Sequence, residues 1–412
     1  MRRGLAVLVV GAGRLAAADP IALRADAFAT SAAPAGLLSL SADGDAGPGL
    51  SAEAAVWIGQ TGAQGTRAAA GDTAAADVLV IALHARTATG RAAGTFGRFV
   101  ATLGALRPLQ VDGASGRVAL PHRFVVEAYA GVPVQPELAA SRTWDWAIGG
   151  RAARRIGDWG SVGVAYTEQR IDGQLATEEV GADAGAALGA HADLAGKLAF
   201  DLVTPGVAEA SITASERHGA VRADVYATYT AASHLLPATS LFTVIGDVPA
   251  LRAGAMATWR AAPRLDVSAD LAVRRADGDG LAAIAPQRAL GEQGEVVAPA
   301  GVLRATLRLD ALGASALGGE LRRDGAGDAG WTGARAMLRL ALPARLVASL
   351  EAELVIPDRD RGLGRAWPWA LAGLSRAWGP WRVAIGVEAQ ASAVDRARID
   401  ALAQVGRTWG AR

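Results

Sequence analysis

The sequence predicts an all-β protein, a transmembrane antiparallel up-and-down β-barrel of about 22 strands, with 18 or 20 strands as alternative counts. From Leu50 to Trp409, segments of ten to twelve residues alternate apolar side chains with charged or small ones, as the two faces of a strand require. About ten residues is the length that a tilted strand needs to cross a bilayer, whereas ordinary strands average about five or six. The breaks between segments are alternately short and long, which is typical of a barrel with turns at one end and loops at the other.

The composition narrows the class of protein further. Of the 412 residues, 51% are hydrophobic and 20% are charged, and the mean hydropathy is +0.23. No apolar run of about 18 residues follows the N-terminus, so the sequence predicts no membrane-spanning helix. The absence of cysteine excludes disulfides, thiolate catalysis and cysteine-ligated zinc. The net charge is +1 with both signs interleaved, which argues against a nucleic-acid partner.

Residues 1–18 have the three parts of a secretory signal peptide, so the barrel is predicted to occupy residues 19–412. Arg2 and Arg3 form the basic region, and Gly4–Gly13 forms the apolar region. Ala16–Ala18 then provides an A-x-A cleavage site before Asp19.

The same N-terminal residues also match a weak dinucleotide-binding motif. Gly11–Ala16 reads GxGxxA after an apolar stretch, the turn that brings a Rossmann backbone close to a pyrophosphate. A helix should follow that turn, but Asp19 and Pro20 come next, and no alternation of strands and helices appears downstream. The export signal is therefore the favoured interpretation.

The predicted strands follow one another in chain order. Leu265–Arg275 is the clearest, because every second residue from Leu265 to Val273 is apolar and the residues between them are mostly polar. The first half of the chain gives Ile21–Thr30, Leu37–Asp43, Leu50–Gln60, Asp77–Thr87, Gly94–Leu103, Gln110–Leu120, Arg123–Gly131, Arg142–Ala153, Trp159–Arg170, Thr177–Ala190 and Asp193–Val203. The second half gives Val207–Arg217, Ala220–Thr230, Arg252–Ala261, Arg264–Arg275, Gly301–Asp310, Ala314–Arg323, Thr332–Ala341, Arg345–Ile356, Ala366–Ala377, Trp381–Ser392 and Ile399–Trp409.

The connections support the same topology. Short turns are predicted at Pro121-His122, His191-Ala192, His218-Gly219, Ala262-Pro263, Ala311–Gly313, Leu342–Ala344 and Gly379-Pro380. The longest connections are Thr61–Ala76, Ala231–Leu251 and Ala276–Ala300, and each lies between two short turns. Barrels of this type have short periplasmic turns and long extracellular loops, so both termini are expected on the periplasmic side.

Charged residues of one parity are expected to face the interior, because an arginine turned to lipid at mid-depth costs about 2–4 kcal/mol. The candidate lumen lining is Arg304, Arg308, Arg335, Arg339, Glu351, Glu353, Arg382 and Glu388, and Glu320 and Arg322 belong to the same set. Arginines facing carboxylates across a water-filled lumen would select solutes by charge and dipole. The alternative is a charge ladder that only satisfies the interior, and the sequence leaves both open.

A barrel of 22 strands needs something to fill it, since barrels of that size are typically plugged. A plug would have to come from the loops or from Asp19–Gln60. Ala231–Leu251 is unusually apolar for a loop. Folding into the barrel as a plug or constriction is the favoured hypothesis, and packing on the rim is the alternative. The candidate constriction residues are Leu236, Leu241, Phe242 and Asp247.

No residue set predicts catalysis, a metal site or a cofactor. The five histidines have no HxxxH or HxH spacing, and three of them lie in predicted turns. They are His84, His122, His191, His218 and His234. The GxSxG sequence of a nucleophile elbow is missing too, so an enzyme is not predicted.

With its export signal, dyad strands, alternating connections and Trp409 near the C-terminus, the chain resembles Gram-negative outer-membrane β-barrels of the porin-like kind. Such barrels usually end on a Phe or Trp, whereas Gly410-Ala411-Arg412 follows Trp409 here. Val126–Val134 and Leu236–Asp247, with Gly97-Arg98 and Val111–Ala114, also look like segments of uncharacterised porin-like barrels from GC-rich bacteria. The resemblance implies the fold, the cell outer membrane as location and its lipid as surroundings, with no catalytic residue to carry over.

The function expected from these features is a porin-like channel for small polar solutes. The alternative is a closed structural or adhesion barrel that presents its long loops to an extracellular partner. A lipid-active enzyme is a third hypothesis, but it needs a nucleophile and a base on the rim that the sequence does not show. The solute and the oligomeric state are not predicted.

Overall fold

A computed structural model of the chain describes residues 22–30, 35–47, 49–60, 74–134, 145–231, 250–277, 295–325, 330–358, 366–391 and 397–410. Most of them belong to 22 strands. In chain order these are β1 Ala22–Thr30, β2 Ala35–Gly47, β3 Leu50–Gln60, β4 Ala74–Arg86, β5 Ala92–Ala101, β6 Leu109–Ala119, β7 Phe124–Pro133, β8 Trp146–Ile156, β9 Gly160–Ile171, β10 Gln174–Leu188 and β11 Ala192–Asp201. The remaining strands are β12 Gly206–His218, β13 Val221–Thr230, β14 Ala250–Ala262, β15 Leu265–Asp277, β16 Glu295–Arg308, β17 Ala316–Asp324, β18 Trp331–Leu342, β19 Leu346–Pro357, β20 Trp367–Trp378, β21 Trp381–Gln390 and β22 Arg398–Trp409.

The strands form one closed antiparallel barrel. Each strand pairs with the next along the chain, and β1 pairs with β22 from Leu23 opposite Trp409 to Thr30 opposite Leu402. Closure leaves no free sheet edge, which is how an up-and-down barrel satisfies every strand. The predicted fold class and the count of 22 strands are confirmed.

The two parities of each strand form an apolar outer face and a more enclosed inner face. On β9, Val162 and Val164 are 43% and 63% exposed, whereas Ala165, Thr167 and Gln169 of the other parity are buried. The period of two in the sequence therefore separates the faces as expected.

The observed strands match the predicted segments, and two of them extend furthest beyond the predicted bounds. β2 covers Ala35–Gly47, and β16 begins at Glu295 instead of Gly301. Pro299 interrupts the pattern of β16, but it lies beyond the last residue that pairs with β17, Ala300. A proline is tolerated there because its missing N–H is not needed by a partner strand.

Short turns close one end of the barrel, at the positions predicted. Pro121–Arg123 and Pro343–Arg345 each form one turn of 3-10 helix. In the turn after β16, Asp310 accepts hydrogen bonds from the backbone amides of Ala314 and Ser315 at 3.0 and 2.5 Å. Hydrogen bonding by Ser315 and Ala314 lowers the pKa of Asp310, which stands outside the strands. We call this the short-turn end and the opposite one the long-loop end.

Several expectations concern parts of the chain outside the described residues. These are the signal peptide at residues 1–18 and the candidate constriction residues Leu236, Leu241, Phe242 and Asp247. Within the described ranges, no helix is long and apolar enough to cross a membrane.

The pairing between β4 and β5 is short, with six residue pairs from Ile81–Arg98 to Arg86–Ala93. β4 begins at Ala74, but its pairing with β5 begins only at Ile81. Backbone carbonyls of β4 before Ile81 that point towards β5 therefore have no strand partner on that side. Two side chains cover them: Arg98 Nη1 donates to Val78 O at 3.0 Å, and Gln110 Nε2 donates to Leu79 O at 2.6 Å.

Gly97→Val is expected to destabilise the barrel by about 3 kcal/mol at this pairing. Gly97 has a φ of +121°, and a side chain there would collide with the carbonyl oxygen of Ile81. Unfolding in urea, followed by electrophoretic mobility, measures the change. Gly116→Val is the control, because no atom lies within 4 Å of the position its Cβ would take, and equal stability of both variants would contradict the prediction.

Candidate functional site

Residues 102–108, which connect β5 to β6 at the long-loop end, form a segment that we call the inner segment. Leu103 and Leu106 are each 5% exposed and Ala105 is 1% exposed, although none of them lies in a strand. A solvated connection of this length would leave such side chains open to water. The burial shows that the inner segment packs against the barrel wall.

The contacts of the inner segment place it on the inner face of β8–β10. A methyl group on Gly181 of β10 would lie 2.8 Å from Leu106 Cδ2, and one on Gly149 of β8 would lie 2.8 Å from Leu103 Cδ1. Both glycines lie on the inner parity, so the wall has no side chain at the two positions that Leu103 and Leu106 occupy. Gly104 adopts a φ of +57°, which lets the chain turn within the lumen.

A buried ion pair anchors the inner segment to β10. Arg107 Nη2 lies 3.2 Å from Glu179 Oε1, and the two side chains are 9% and 2% exposed. Arg107 Nη2 also donates to Thr177 Oγ1 at 3.4 Å. Breaking a buried pair of this kind leaves an uncompensated charge, so the segment is held in one position.

An apolar cluster that includes residues of the inner segment lines the side of the lumen formed by β4–β12. Its members share low exposure and come from the inner segment and the adjoining strands. They are Ala82, Phe99, Ala101, Leu103, Leu106, Leu109, Val111, Tyr129, Ala147, Ala165, Ala199 and Ala208, with Val80 packed against them.

Polar groups border this cluster. Arg151 donates to Asp183 at 2.6 Å and to Glu127 at 3.1 Å. Tyr129 and Thr167 hydrogen-bond through their hydroxyls at 2.5 Å. These partners lie across neighbouring strands, whereas the buried Gln169 Nε2 makes no hydrogen bond within the described residues.

The wall formed by β15–β19 carries a ladder of charges. Glu320 is 3% exposed and accepts from Arg304 Nε at 2.6 Å and from Arg322 Nε. Arg308 Nη2 lies 2.5 Å from Asp266 Oδ2. Like the apolar cluster, these groups lie on the inner parity.

The structure brings together some of the predicted lumen residues. Arg335 forms an ion pair with Glu351 and lies opposite Glu353 in the register of β18 and β19. Arg339, on the same parity as Arg335, lies opposite Ser349. All eight predicted lumen residues lie on the inner parity, and whether they contact solutes stays a prediction.

The two predicted residues of β21 are separate from each other. Arg382 lies near the short-turn end, where its register partner is Gly406. Glu388 lies towards the long-loop end and accepts from Trp369 Nε1 at 2.6 Å.

Comparisons with solved structures agree with this architecture. A mutant of the ferric enterobactin receptor PfeA from Pseudomonas aeruginosa, in complex with enterobactin, is 10% identical over 95% of this chain and 82% of that one, with a TM-score of 0.63. The siderophore receptor PirA from Pseudomonas aeruginosa is 10% identical over 95% and 80%, also at 0.63. The P pilus usher PapC, a translocation pore, is 12% identical over 94% and 98%, at 0.50. This chain has the fold of an outer-membrane β-barrel. No protein-family model and no curated protein matches it in sequence.

The inner segment of this outer-membrane barrel was missed in the sequence, where Leu103 was predicted to end a strand. The available signal was the run of small residues on the inner parity of β8–β10. Gly149, Gly163, Ala165 and Gly181 leave a recess in the inner face, and Leu103 and Leu106 of the inner segment occupy it next to Gly149 and Gly181.

The histidines of the barrel are placed apart. His84 lies on β4, and its ring contacts both neighbouring strands. Its Nε2 is 3.2 Å from Glu53 Oε1 and its Nδ1 is 3.0 Å from Thr95 Oγ1. His122 and His191 lie in turns and His218 ends β12, whereas His234 is outside the described residues. In the part of the chain that the structure describes, no three His, Cys, Asp or Glu side chains are grouped to hold a metal ion.

Proposed function

We propose that the protein is an outer-membrane channel for small polar solutes, with a lumen narrowed by the inner segment. The observation that carries the proposal is the contrast between the two walls of one lumen. On the β4–β12 side, apolar side chains pack with the inner segment and ion pairs such as Arg151–Asp183 border them. The β15–β19 side instead carries Arg304, Glu320, Arg335 and Glu351.

The packed side reduces the passage to a size that can select. A barrel of 22 strands would otherwise enclose a wide lumen, because the diameter grows with the number of strands. The remaining passage runs along the charged wall, where arginines and carboxylates produce a transverse field. Such a field favours small solutes with charge or a dipole over apolar ones.

The orientation in the membrane follows from the connections. The short-turn end is assigned to the periplasm and the long-loop end to the cell exterior. The inner segment then enters the lumen from the exterior side, where it meets solutes first. The apolar outer face contacts membrane lipid, and the export signal at residues 1–18 is part of the proposal.

The test is conductance of the refolded protein in a planar bilayer across a salt gradient. Steady, ion-selective steps are expected, and the sign of the reversal potential tells whether arginines or carboxylates dominate the passage. Silence from protein shown by circular dichroism to be folded β would contradict the channel. It would favour the alternative, a closed barrel that presents its long loops to a partner. The burial of the inner segment against the wall is compatible with that alternative.

A further inference from the structure

Three tryptophans and two arginines gather on the outer face at the short-turn end, beside the closure of β22 with β1. Trp378 and Trp381 are opposite each other across the turn between β20 and β21, and Trp381 is opposite Arg407 on β22. Trp409 follows two residues after Arg407 on the same parity. We call Arg407 and the rings of Trp381 and Trp409 the Trp–Arg stack.

The guanidinium of Arg407 lies between two indole rings. Its Cζ is 4.8 Å from the ring centroid of Trp381 and 4.7 Å from that of Trp409. Both distances are within the range of cation–π attraction, which is strongest for tryptophan. Two rings on two strands thus fix where the charge is presented.

Arg407 has no anion among the described residues. Its Nε is buried and makes no hydrogen bond within the described part of the chain. No carboxylate there forms an ion pair with it, in contrast to Arg123 at the same end, whose Nη1 lies 3.0 Å from Asp158 Oδ1. Of the five N–H donors of a guanidinium, the buried Nε carries one and the two Nη atoms carry four, and those four are left for a ligand.

The residues around the Trp–Arg stack favour an anion that also carries apolar chains. Arg376 stacks on Trp378 at 5.9 Å and adds a second positive charge. The outer positions around the stack are otherwise apolar or small and include no carboxylate: Leu374, Val383, Ile385, Val405, Leu23, Ala25, Leu40 and Ala42. The patch therefore pairs a basic band near the rim with an apolar strip further from it.

We propose that the Trp–Arg stack binds the phosphate of an anionic glycerophospholipid in the periplasmic leaflet. This inference rests on the proposed function, which places the short-turn end at the periplasmic interface. Arginine binds phosphate through two parallel hydrogen bonds, and tryptophan prefers the interface between headgroups and acyl chains. The acyl chains lie along Val383, Ile385 and Val405, which a free phosphate ion would not use.

The test measures retained lipid by native mass spectrometry. Protein is reconstituted in nanodiscs of phosphatidylcholine and phosphatidylglycerol and released into the gas phase with its bound lipids. The wild type is expected to retain phosphatidylglycerol, and Arg407→Gln is expected to reduce its ratio to retained phosphatidylcholine about tenfold, as for one charge-assisted contact. Arg123→Gln is the matched control and is expected to retain the wild-type ratio.

Further variants keep the result interpretable. Arg407→Lys keeps the charge without the planar stacking, so it should retain phosphatidylglycerol at an intermediate ratio to phosphatidylcholine. That result would also show that the site tolerates substitution. Equal ratios in the wild type, Arg407→Gln and Arg123→Gln would overturn the proposal. Loss of retained phosphatidylglycerol on adding inorganic phosphate would assign the site to free phosphate and would overturn the lipid assignment.

Conductance of the same preparations separates the two proposals. A wild type that conducts without preferring phosphatidylglycerol contradicts the lipid site alone. A wild type that prefers phosphatidylglycerol but does not conduct contradicts the channel alone, since the lipid site needs only insertion in the membrane.

Discussion

Replacing residues 102–108 with a glycine–serine linker of the same length is expected to raise the single-channel conductance about twofold or more. The linker lacks Leu103, Leu106 and the Arg107–Glu179 ion pair, so no contact of these kinds holds it against β8–β10. The side of the lumen that the inner segment fills would then open to ions. Single-channel recording in a planar bilayer measures the change.

A point substitution tests the same idea with less disturbance. Gly181→Leu puts a side chain where Leu106 Cδ2 is 2.8 Å from the added Cβ, so it should displace the inner segment and raise conductance or its fluctuation. Gly185→Leu is the control on the same strand and face, because the nearest side-chain or backbone atom there is 3.7 Å away, Ser161 Oγ. An unchanged conductance in both the linker variant and Gly181→Leu would contradict a constriction by the inner segment.

Arg335→Gln combined with Arg339→Gln is expected to shift the ion selectivity towards cations. The double substitution removes two positive charges from the inner wall and leaves Glu351 without its ion-pair partner Arg335. In a narrow passage the field of such charges is focused, so a change of about threefold in the cation-to-anion permeability ratio is expected. The reversal potential in a salt gradient measures it.

The matched control for this prediction is Arg323→Gln. Arg323 lies on the outer parity of β17 and pairs with Asp358 at 2.5 Å, so its loss should leave the reversal potential unchanged. The selectivity hypothesis is wrong if the inner double variant and the outer variant give the same reversal potential. In that case the inner charges only pair with one another in the wall, which is the charge-ladder alternative.

The strands and their faces could be predicted because both are local properties. Leu265–Arg275 reads as one strand in the sequence, and the structure extends it by two residues to Asp277. Its parity follows from the period of two, and a slip by one residue would turn every charge to the outside. The inner placement of Arg335 and Glu351 follows from the same rule.

The inner segment could not be predicted from its own residues, because its position depends on residues far away in the chain. Residues 102–108 have no periodicity, and their recess is made by glycines on β8–β10, about forty to eighty residues later. The ion pair of Arg107 with Glu179 likewise joins two distant segments. The apolar composition of Ala231–Leu251 predicts the constriction in that loop instead.

The pairing of β1 with β22 has a consequence for how the chain is assembled. Asp26 accepts a hydrogen bond from Gln404 at 3.1 Å, across a separation of 378 residues. Until that contact forms, every partly assembled chain is an open sheet with two exposed edges that can pair with other chains. A chain terminated before β22 is therefore expected to aggregate rather than insert as a smaller barrel, so the two ends of the polypeptide together decide whether the protein matures.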